Sequence, residues 1–89
     1  MQKMLEIDLR KKSEGHRQKA LALEGLQKTN GKFSRGDVIE FWGGYNNDIR
    51  YTAEISGTIN DEIYLIWDCY WFPIRDENNR DIKLIKGAN

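Results

Sequence analysis

A chain of 89 residues has room for one domain with a single modest core, burying only about 60 to 65% of its unfolded surface, so a large active-site cleft is not expected. With 39% hydrophobic and 31% charged residues, the composition is that of an ordinary globular protein rather than a disordered or membrane-spanning one. Fourteen basic and fourteen acidic residues cancel overall, but residues 1–29 hold seven basic against four acidic groups, a net of +3, which leaves −3 for residues 30–89. The two segments therefore attract one another weakly or face different partners.

The opening Met1 to Met4 leads into alternating charged residues without the apolar run of a secretory signal, so a cytoplasmic address is expected and no membrane partner. Cys69 has no second cysteine to pair with, and His16 is the only histidine. An ordinary Cys/His zinc site is thereby excluded, and no metal or cofactor is expected.

Along residues 4–10, Leu5, Ile7 and Leu9 alternate with Glu6, Asp8 and Arg10, a period-2 pattern that fits a short half-buried strand. A continuous helix over residues 3–28 is the rival reading, although Gly15 weakens its middle. From Ser13 onward the helical signals strengthen. Ser13 suits an N-cap, Glu14 suits the positive end of the helix dipole, and Ala20, Leu21, Leu23 and Leu26 supply an apolar side. Lys28 and the run Thr29-Asn30-Gly31 then read as a C-terminus, so a helix over 14–28 is predicted to lie on the β part as a lid.

Gly36-Asp37 signals a turn into a first clear strand containing Val38, Ile39, Phe41 and Trp42, and residues 43–48 form a flexible loop. Residues 50–59 alternate, with Tyr51, Ala53, Ile55, Gly57 and Ile59 on one face and a bend expected at Gly57. Asn60-Asp61 makes a short hairpin into Ile63 to Ile74, the aromatic and β-branched centre of the chain. Its first half is apolar on both sides and should be covered on both faces. Pro73 cannot donate to a ladder, which predicts an edge strand or bulge there, with Ile74 re-entering the core. Residues 75–80 read as a solvated loop, and Ile82, Leu84 and Ile85 as a last strand.

The run Gly36-Asp37-Val38-Ile39-Glu40-Phe41 followed by Gly43-Gly44, then Glu54-Ile55-Ser56-Gly57-Thr58-Ile59 and Tyr64-Leu65-Ile66, resembles the small SH3-like barrels of the KOW and Tudor kind over residues 33–86. The Lys-Gly-x-x-Gly run of a KOW element is absent, so architecture is what the resemblance implies. The resulting expectation for residues 1–89 is an α+β domain. A helical N-terminal segment (1–30) would pack on a small five-stranded antiparallel SH3-like barrel (33–86).

The aromatic residues exceed what so small a core can absorb, since each buries about 150 to 250 Å². Core and rim packing is the commoner explanation. A contact patch built from Trp42, Tyr45, Trp67, Tyr70 and Trp71, with Asp68 among them to meet a cation on a partner, is the functional one. Cys69 and His16 lie far apart without an oxyanion motif, and Glu40 with Glu54 would be a carboxylate pair without a cleft, so no enzyme is expected. The leading expectation is a non-enzymatic module that binds a protein partner or a second copy of itself. The alternative is weak single-stranded nucleic-acid binding, with aromatics stacking on bases and Arg50, Arg75, Arg80 and the basic helix neutralising phosphates.

Overall fold

The computed structural model describes residues 5–12, 14–67, 72–75 and 80–87. Its organising strand is β3 (Ile49–Ile59), whose alternating sequence carries the sheet for eleven residues. One edge of β3 bonds antiparallel to β2 (Val38–Gly43), from Gly43 opposite Ile49 to Val38 opposite Glu54. The other edge is shared end to end. There β1 (Leu5–Asp8) runs parallel along Ile49 to Thr52, and β4 (Glu62–Ile66) returns antiparallel along Glu54 to Ile59. Outside these lie β5 (Pro73–Ile74) on β4 and β6 (Lys83–Lys86) on β2, so the strand path runs β5-β4-β3-β2-β6.

Strand parity explains the two faces. Ile39, Phe41, Ala53, Ile55, Ile63 and Leu65 point to one side, where Leu9, Phe33 and Ile74 join them to form the core. Val38, Glu54 and Ile66 stand in one cross-strand row on the opposite face. Val38 and Ile66 are nevertheless buried. Over β3 and β4 the cover is α1 (Arg17–Leu21), which buries Ala20 and ties Arg17 to Glu54 through paired hydrogen bonds, one of 3.1 Å. Ile63 to Ile66 is thus covered on both faces, as its composition requires.

The expected α+β barrel with a packed N-terminal helix is overturned: the described residues form a mostly antiparallel sheet, 49% strand and 15% helical, in which β1 joins the five strands of residues 33–86. The helix expected over 14–28 is reduced to the five residues of α1, preceded by short 3-10 turns at Leu9–Lys12 and Glu14–His16. Ser13, its expected cap, lies outside the described residues. His16 stands at the cap position and makes no side-chain cap bond. Beyond Ala22 the chain leaves the helix because a better partner competes for its backbone. Gln27 donates to Thr58 O and accepts from Thr58 N, both at 2.8 Å. Asn30-Gly31 builds a turn instead of a helix cap: Asn30 Oδ1 accepts from the amides of Lys32 and Phe33, and Gly31 takes φ 95°. For residues 5–8 the strand reading holds.

A bulge in β3 between Ile55 and Gly57 changes which residues face inward. Thr58, expected outside, is buried opposite Ile63, while Ile59 pairs with Glu62 and is half-exposed. A bulge leaves backbone groups outside the ladder, and here the Arg35 Nε donates to Ser56 O at 2.7 Å. Arg35 sits in a Ser34–Asp37 turn with Gly36 at φ 92° and Asp37 N donating to Ser34 O, the pattern of a type II turn. Pro73 occupies an outer strand and Ile74 is buried in the core, as the proline predicts.

Two outcomes test this arrangement. A Cβ on Gly57 would fall 2.5 Å from Gln27 O and 2.7 Å from Leu26 Cγ, so Gly57→Ala should cost about 1 to 3 kcal/mol in a denaturant titration. An unchanged midpoint would show that the 26–27 segment does not sit against β3. Asp8 holds the first turn after β1, accepting from the amide of Arg10 at 3.0 Å and from its guanidinium at 2.9 and 2.7 Å. The Arg10 side chain lowers the Asp8 carboxyl below its ordinary range. A depressed carboxyl contributes stability above the ordinary aspartate value and loses it as pH falls through the folded value. Asp8→Asn should therefore flatten the loss of stability below about pH 4, by under about 1 kcal/mol because the pair is solvent-screened. Denaturant titrations at neutral and acid pH read this difference.

Candidate functional site

Phe41 and Trp42 are neighbours in β2 and must face opposite sides of the sheet, and this parity divides the aromatic residues into two groups. On the core side, Phe41 stacks on Tyr51 with ring centroids 5.4 Å apart, Tyr51 meets Trp67 at 5.8 Å, and Trp67 meets Phe72 edge-on at 4.6 Å. Tyr51, Trp67 and Phe72 are half-buried against the core cluster. Gly43 leaves room for this stack, since a Cβ there would lie 2.8 Å from the Tyr51 ring.

Trp42 belongs to the other face, paired across the ladder with Arg50. The Arg50 guanidinium lies over the indole, 5.1 Å from its centroid, and its Nε sits 3.2 Å from Glu40 Oε1. A guanidinium held by a carboxylate at one side and an aromatic face at the other has little freedom left. Around this pair the face is polar. Register places Glu6 beside Arg50 and Asp8 beside Thr52, and with Lys11 and Glu40 they line a shallow groove of about 620 Å³. α1 packs on β3 and β4 at the same face, and Trp42 on β2 remains half-exposed.

Of the residues expected to form one patch, the structure therefore separates two. Trp67 packs into the core side, and Trp42 stands on the open face. Tyr45 is fully exposed at the turn joining β2 to β3. Asp68, Tyr70 and Trp71 lie outside the described residues, as does Cys69. Glu40 and Glu54 are not a carboxylate pair, for Glu40 stands opposite Thr52 and binds Arg50, whereas Glu54 binds Arg17.

Three of the arginines offered to a phosphate backbone have partners within the chain. Arg50 pairs with Glu40, Arg75 with Glu62 at 3.4 Å, and Arg80 donates to Trp42 O at 3.4 Å. A second, smaller cleft of about 290 Å³ has Phe33, Ile63 and Ile74 in its wall and Asn30, Lys32, Asp61 and Arg75 around them. Both signs of charge line it. Sequence reasoning missed the Arg50–Trp42 pair, although both residues were singled out. The signal was the hairpin register, which a turn of 44–48 between β2 and β3 fixes. Comparison with protein-family models, curated proteins and solved structures returns no match to this chain.

The division of the aromatics has a measurable consequence. Trp67→Ala should cost about 3 kcal/mol of stability, at the lower end for a core tryptophan because it is only half-buried. Trp42→Ala should cost about 1 kcal/mol, the scale of an exposed cation–π contact. Urea titration of both variants reads the difference, and equal losses would place Trp42 in the core.

Proposed function

We propose that this chain is a non-enzymatic protein-binding module, its contact surface the uncovered part of the second sheet face around Trp42 and Arg50, with Tyr45 at the adjoining turn. The observation that carries the reading is the Trp42–Arg50–Glu40 arrangement: a half-exposed indole and a guanidinium held in place before any partner arrives. Tryptophan, tyrosine and arginine are the residue types that dominate binding energy at protein interfaces, and side chains already fixed lose little entropy on association. The partner is another protein or a second copy of this chain. A lone cysteine among 89 residues supports a cytoplasmic setting.

A photo-crosslinking residue placed at Tyr45 in the full chain tests this in cells. The expected result is a discrete protein adduct that disappears with Trp42→Ala while the far-ultraviolet circular dichroism stays unchanged. Absence of any adduct at Tyr45, or an adduct indifferent to Trp42→Ala, would overturn the reading. Titration with a short single-stranded oligonucleotide at low salt separates the nucleic-acid alternative, whose affinity must fall steeply as salt rises.

A further inference from the structure

β6 forms one end of the strand path, and among the described residues no segment pairs with its outer edge. Edge strands present unpaired amides and carbonyls to any chain that lies alongside. In this one, all four residues are exposed, and the two apolar ones, Leu84 and Ile85, are 55% and 53% exposed. Its side chains are ordered by register with β2: Lys83 opposite Glu40, Leu84 opposite Ile39 and Lys86 opposite Val38; Lys83 Nζ also lies 4.0 Å from Asp81 Oδ2, a solvent-exposed pair that a partner carboxylate would join. The register shift between Val38 and Ile39 takes up Ile85, so Lys83 and Lys86 both fall on the second face while Leu84 falls on the core side.

We propose that β6 accepts an extended strand from another protein, one in which acidic residues bracket an apolar residue. The added strand would continue the sheet by backbone hydrogen bonds, lay its apolar side chain beside Leu84 and set its carboxylates beside Lys83 and Lys86. Charge selects this occupant over a second copy. In the one register that pairs all four residues of Lys83–Lys86 with a second copy, a two-fold axis sets Lys83 opposite Lys86 twice, and like charges directly opposed destabilise a pair of strands. Lysines and a bulge are the usual means by which an edge resists a strand like itself. The same lysines favour an acidic one. The added strand would lie along the outer edge of β6, one strand beyond Glu40 and Trp42, and its pairing does not require the Trp42 indole.

The test is a titration of the isotope-labelled full chain with a synthetic peptide alternating glutamate and valine, beside its lysine–valine counterpart, followed by amide exchange. The acidic peptide should slow exchange of β6 amides that β2 does not bond, and the basic peptide should not. The double variant Lys83→Glu/Lys86→Glu should reverse the preference, weakening the acidic peptide about tenfold or more. Should that variant lose its circular dichroism spectrum, the wild-type chain supplies the readout through weakening of acidic-peptide binding as salt rises. Trp42→Ala should leave β6 protection unchanged. Equal binding of the two peptides, protection located away from β6, or a wild-type dimer in light scattering with β6 amides already protected would each overturn the proposal.

Discussion

The contact on which the rest of the fold depends is the backbone exchange between Gln27 and Thr58, with two hydrogen bonds of 2.8 Å made against a strand that has no side chain at Gly57. It anchors the chain leaving α1 to the far half of β3, and the turn at residues 34–37 then delivers β2 to the near half. Gly36 N donates to Ile55 O and Ile55 N to Asp37 O. The same edge of β3 is thus occupied in succession by β2, the Ser34–Asp37 turn and Gln27. Because the opposite edge holds β1 and β4, β3 is bonded on both sides along most of its length. Interior strands of this kind lose no backbone group to solvent and set the register of everything beside them.

Electrostatics in this protein arranges more than it stabilises. Arg10 with Asp8, Arg17 with Glu54 and Arg50 with Glu40 are each partly exposed, and such pairs are worth about 0 to 1 kcal/mol. Their value lies in position. Arg17 keeps α1 over β3 and β4, and Glu40 keeps Arg50 over Trp42. Burial supplies the stability, through an aliphatic core closed at one side by Phe41, Tyr51, Trp67 and Phe72.

What could be read from the residues followed the reach of the underlying forces. Alternation in Val38 to Gly43 and Ile49 to Ile55 reflects which side of a strand meets the core, so both strands were legible, as were the Asn60 turn and the outer position of Pro73. The helix over 14–28 was not. Its signals were local, a cap, a dipole and an apolar side, whereas the bond that ends it joins Gln27 to Thr58, far apart in sequence. Parallel pairing of β1 with β3 is equally non-local. At the site, the residue types were legible but their grouping required parity to be carried through. Trp67 shares its phase with Ile63 and Leu65 and goes inward, while Trp42 is out of phase with Ile39 and Phe41 and goes outward.

That parity gives β2 a double duty with a physical consequence. The strand places Ile39 and Phe41 in the core and Glu40 and Trp42 on the open face, residue by residue along one backbone that is bonded to β3 on one edge and β6 on the other. Side chains on such a strand have their backbone fixed by core packing on the opposite side, so a contact surface there is rigid without any structure of its own. A loop would have to be ordered at the moment of binding, at a cost of about 1 to 2 kcal/mol per residue. Using the reverse side of core strands lets the proposed contact surface take nothing from the residues that hold the fold together.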